Sequence, residues 1–143
     1  MDIKSIVFPV LLPAAFCYNE SEKNEGVYKL MQELFDQLKE YLNMDTEISF
    51  EEFDAYYKKV LDFLNDKWTT LNEEDSMNML FILDNLKSNS DDRAKRRGKE
   101  TKKYQKISKR TEIWAAAIIN RLREFGLNDE EISKRYEAIY EAV

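Results

Sequence analysis

The run MNMLFILDNL, residues 77–86, is apolar on most sides when wound as a helix. A helix that is apolar all round must be covered from several directions, so this stretch predicts the central member of a helical bundle. The residues before it supply the start. Asn72 is a capping side chain, and Glu73, Glu74 and Asp75 place negative charge where the positive end of the helix dipole forms.

Working outward, the helical period continues. Ser49 and Glu52 have the spacing of a capping box, with Ile48 set to staple onto Phe53. Behind them Phe50, Phe53, Tyr57, Val60, Leu61 and Leu64 form one buried stripe that ends near Trp68. Upstream, Val27, Leu30, Met31, Leu34, Leu38, Tyr41 and Leu42 form another stripe, closing near Asn43. Downstream, Tyr104, Ile107, Thr111, Trp114, Ala115, Ile118, Leu122 and Phe125 form a fourth, stopped by Gly126. Asn128 with Glu131 then opens a short last helix lined by Ile132, Tyr136, Ile139 and Tyr140. No strand pattern competes with these helices. The expectation is an all-α, single-domain bundle of about five helices over residues 1–143.

Composition narrows the chemistry. The chain has no histidine, which removes the commonest general base and metal ligand and every Ser-His or Cys-His pair. One cysteine, Cys17, allows neither an internal disulfide nor a thiolate metal cage, and its apolar context reads as a structural thiol. Three glycines, Gly26, Gly98 and Gly126, are too scattered for a phosphate-cradling loop. No cofactor is expected.

The N-terminus departs from the helical pattern. IVFPVLLPAAFC, residues 6–17, is too short to span a bilayer, which takes about 20 apolar residues. Its length suits the apolar region of a signal peptide, but Asp2 stands in the leading segment and Pro9 and Pro13 break the run. The prolines favour an extended apolar arm over 1–18, strapped across the helices or reserved for a partner. A cytoplasmic protein without a membrane span is expected.

Charge is uneven along the chain. Residues 1–86 carry 7 basic and 18 acidic side chains, residues 87–125 carry 13 and 5, and the whole chain sums to −6. The density peaks at Arg93, Lys95, Arg96, Arg97, Lys99, Lys102, Lys103, Lys106, Lys109 and Arg110, with Glu100 the one acid among them. Residues 87–99 read as a polar, basic connector broken near Gly98. Beyond it, Lys99, Lys102, Lys103, Lys106, Lys109 and Arg110 fall within an arc of about 120° at 100° per residue, opposite the apolar stripe. Such a stripe fits backbone phosphates or an acidic protein patch; the plain alternative is a solvated face. Tyr104, the one aromatic in the block, lies on the apolar side, so stacking on bases is not indicated.

A second pattern points elsewhere. Glu22 with Glu25, then Glu51 with Asp54, resembles the magnesium-binding signature of the all-α nucleoside triphosphate pyrophosphohydrolases. The resemblance implies magnesium held against a triphosphate. Both pairs stand at the starts of consecutive helices, which short connectors make antiparallel, so opposite ends of the bundle are expected for them. Glu33 and Asp36 repeat the spacing in an acid-rich chain. Trp68 and Trp114 follow the buried stripes, whereas Tyr56 lies beside one and is a candidate contact residue.

The reading that results is a non-catalytic binding protein, an accessory subunit or inhibitor. Acidic helices and the basic segment 93–110 would dock it on a nucleic-acid-handling protein complex. A sequence-indifferent RNA or DNA binder is the first alternative, and the magnesium-dependent pyrophosphohydrolase the second.

Overall fold

Seven of the ten side chains in 77–86 are buried: Met77, Met79, Leu80, Phe81, Ile82, Leu83 and Leu86. They belong to the central helix of a computed structural model that describes the backbone of residues 13–143 and the side chains of residues 25–143. Five α-helices follow one another: α1 (Pro13–Leu42), α2 (Phe50–Lys67), α3 (Glu73–Lys95), α4 (Thr101–Glu124) and α5 (Asp129–Ala142). A 3-10 turn, Trp68–Thr70, joins α2 to α3, and no strand occurs among the described residues. The all-α expectation holds. α3 packs against α1, α4 and α5, as its all-round apolarity requires.

The caps set the helix bounds. Ser49 accepts from the Glu52 amide and Asn72 from the Asp75 amide. Asn128 and Glu131 complete a reciprocal capping box. The C-terminus of α4 ends in a Schellman motif. Gly126 takes φ 102°, its amide bonds the Arg123 carbonyl, and the Leu127 amide reaches back to Leu122.

Two boundaries differ from the sequence expectation. The arm expected over 1–18 falls mostly on residues 1–12, outside the described residues; α1 opens at Pro13, a position where a missing N–H costs nothing. The connector expected over 87–99 is helical as far as Lys95. Its polar side chains serve the helix: Asn89 and Ser90 bond carbonyls four residues back, as Asn85 does just before them, and Lys87 pairs with Asp91 at 2.9 Å. Only Arg96–Glu100 remain as the turn, so Lys99 lies before α4 rather than on it.

α3 and α4 form an antiparallel hairpin. Arg93 bonds Tyr104 across it at 2.9 Å, and the Ser108 hydroxyl donates to Asp91. α1 and α2 run antiparallel too, with Tyr41 edge-on to Tyr56 and the Tyr56 hydroxyl donating to the Leu34 carbonyl at 2.7 Å. Tyr56 is therefore 2% exposed and offers no contact surface, contrary to expectation. Its hydroxyl found a backbone carbonyl, which lets a tyrosine beside the stripe be buried whole. Four residues assigned to stripes are instead exposed: Leu30, Leu42, Phe125 and Tyr140. Trp68 and Trp114 are half-buried and meet edge to face at 5.9 Å.

Acid should loosen this packing. The Ser108 hydroxyl and the Lys87 ammonium hold Asp91 below its ordinary pKa of 3.8, and Arg96 holds Glu47 below 4.5. A carboxylate depressed in the folded state contributes stability above its unfolded pKa and loses it as pH falls through the folded one. Burial, with Glu74 adding to it, raises Asp75, which works in the opposite sense. The urea midpoint is expected to hold down to about pH 5 and fall below it, with Asp91→Asn giving a shallower fall. A parallel fall in that variant would show that Asp91 carries none of the effect.

Candidate basic docking face

The ten basic residues of 93–110 divide into structural and free groups. Arg93 is structural. Its side chain is 9% exposed, its guanidinium lies 4.7 Å from the Phe53 ring centre and 5.6 Å from that of Tyr104, and it approaches Glu47 at 4.0 Å. It is removed from the expected surface set because α3 continues through it on the stripe that already carries Leu86 and Ser90. Arg96 is exposed but bonded to the Glu47 carboxylate. Lys103 leans over Phe50 at 5.1 Å, and Lys95 stands 3.9 Å from Asp92.

The other six, Arg97, Lys99, Lys102, Lys106, Lys109 and Arg110, are all exposed. Among the described residues no carboxylate oxygen comes within 4.0 Å of any of them. Four of these share the outward face of α4, because Tyr104, Ile107, Ser108 and Thr111 turn the opposite face into the core. The arc expected on α4 is thus present, less Lys99.

Arg97 and Lys99 extend the face around the turn. With Lys95, Thr101, Lys102 and Gln105 they line an open groove of about 940 Å³ where α3 ends and α4 begins. Arg97 sits there at φ 53°, left-handed backbone that costs a residue with a Cβ about 1 kcal/mol. Arg97→Gly is therefore expected to raise stability by about 1 kcal/mol in urea melts. An unchanged midpoint would mean that the turn carries no strain.

One member of this face is missed by reading apolar arcs. Ile113 is 71% exposed, and eleven residues beyond Lys102 at 100° each brings it within about 20° of that lysine's direction. The stripe of lysines thus runs into an apolar knob. The signal was available: Ile113 lies off the arc of Ile107, Thr111 and Ile118.

The carboxylate pairs offer less. Glu22 lies outside the described side chains, Glu25 and Glu51 are exposed, and Asp54 is tied to Lys58 at 2.8 Å. Among the described residues no three cysteine or carboxylate side chains gather closely enough to hold a metal ion. Cys17 is likewise outside the described side chains. Among the described residues no helix is long and apolar enough to cross a membrane. Compared with protein-family models, curated proteins and solved structures, the chain finds no match in any of the three.

Proposed function

We propose that this chain is a non-catalytic helical binding protein that docks on a nucleic-acid-handling protein complex, as an accessory subunit or an inhibitor. One observation carries the reading: Lys102, Lys106 and Lys109 share the outward face of α4 without a carboxylate partner among the described residues, and that face continues into exposed Ile113. A solvated helix gains nothing from three aligned lysines ending on an isoleucine. A partner that offers anions beside an apolar pocket gains from both. The exposed acids of α1 and α2, among them Glu33, Asp36, Glu51 and Asp62, give the same body a surface for basic protein.

The test uses the full chain as bait, with and without nuclease. Lys102→Glu/Lys106→Glu/Lys109→Glu is expected to lose the captured complex, and Ile113→Asp to weaken it, while circular dichroism stays helical. If the triple variant keeps every partner at full yield, the face is only solvated and the proposal falls.

A further inference from the structure

The docking reading leaves open what the cations touch, and the near end of the face answers differently from the far end. We infer that the groove at the α3–α4 turn, with the first two turns of α4, takes a run of nucleic-acid backbone phosphates without regard to base sequence. This rests on the proposed docking face and names its ligand.

The groove has the chemistry of a phosphate track and lacks that of a protein interface. Arg97, Lys99 and Lys102 line it, and Lys106 stands one turn further along α4. Its one lining acid, Asp91, is already engaged by Ser108 and Lys87. No exposed large apolar side chain lines it, whereas protein interfaces keep an apolar centre. Ile113 comes three turns after Lys102, which places apolar contact at the other end of the stripe. Lysines act as point charges, suited to following phosphates and poor at reading base edges.

The local electrostatics also run against the fold. α2, α3 and α5 each open on two or three acids, as the dipole favours. α4 opens on none; Lys102 and Lys103 occupy its first turn, and Lys99 stands just before it. Arg97 adds a left-handed backbone beside them. Lysines crowd the positive end of a helix, with the single acid Glu100 at its cap, so an anion bound among them is favoured. α1 also opens without an acid, but α4 alone of the two sets lysines in that first turn.

The test is fluorescence anisotropy of the purified full chain with labelled 20-base-pair RNA and DNA duplexes, two unrelated sequences of each, from 50 to 200 mM salt. Four phosphates neutralised by Arg97, Lys99, Lys102 and Lys106 predict a log–log salt slope of about −3.6, a loss of about 150-fold over that range. Both sequences of a kind should bind within a fewfold of each other. The groove variant Arg97→Gly/Lys99→Glu/Lys102→Glu should flatten the slope to about −1. Its changes relieve the backbone and match the dipole, so its melting temperature should hold or rise. Lys58→Glu/Lys59→Glu, a comparable charge change on α2, should leave binding close to wild type. The inference is overturned if wild type binds no duplex at 50 mM salt, if the two lysine-reversal variants weaken binding equally, or if one sequence is preferred tenfold. The first result leaves the docking proposal standing wherever nuclease-resistant capture is still lost in the α4 triple variant; the face then meets acidic protein.

Discussion

Phe81→Ala is expected to lower the unfolding free energy by about 3–5 kcal/mol, the largest single loss in this chain. Phe81 is 1% exposed at the middle of α3. Its ring meets Phe35 of α1 at 5.9 Å and Tyr136 of α5 at 5.4 Å. Truncation therefore opens a void facing two helices at once, and neither can close it without leaving the other. Against a typical stability of about 5–15 kcal/mol, that loss is a large share of the total. Urea melts should show a lower midpoint at unchanged slope. A loss below about 1 kcal/mol would mean that α1 and α5 collapse onto the gap, so that the three helices are not held rigidly around this ring.

Arg93→Ala should cost about 2–4 kcal/mol, although it removes a charge from the most basic segment of the chain. The guanidinium covers two aromatic rings, from α2 and α4, and donates to the Tyr104 hydroxyl at 2.9 Å. Each desolvated cation–π contact is worth about 0.5–2 kcal/mol, and a buried hydroxyl left without its partner costs about 1–3 kcal/mol. Arg93→Lys should recover only part, because a compact ammonium cannot replace a planar guanidinium that meets both rings while donating to the Tyr104 hydroxyl. Arg97→Gly, four positions on, moves stability the other way. If Arg93→Ala and Arg97→Ala prove equally mild in thermal melts, the aromatic cage is contact without energy.

Those two arginines mark where sequence reading stopped. The caps at Ser49, Asn72 and Asn128, the stop at Gly126 and the burial of α3 all follow from short-range rules, since each depends on residues within a turn or two. Arg93, Tyr56 and residues 87–95 were misjudged for one shared reason. Polar side chains there are satisfied by groups that periodicity does not reveal: a backbone carbonyl 22 residues away for Tyr56, a tyrosine hydroxyl across the hairpin for Arg93, and carbonyls one turn back for Ser90 and Asn89. The arc of the basic stripe was legible because exposed lysines on a helix depend on 100° per residue alone. Which of its neighbours were already paired was not, because Glu47, the partner of Arg96, comes 49 residues earlier in the chain.

The α3–α4 hairpin also bears on how the chain reaches its fold. A five-residue turn brings two long helices together with little loop entropy to overcome, and contacts this local in sequence form early. The hairpin is thus the natural nucleus, with α1 arriving late across a much longer separation. Yet chain reversal at 96–100 must gather Arg96, Arg97, Lys99 and Lys102 before Glu47 is near enough to neutralise any of them. Mutual repulsion among Arg97, Lys99 and Lys102 is then already present in the transition state and persists in the finished bundle, so added salt should speed folding while leaving the unfolding rate nearly unchanged.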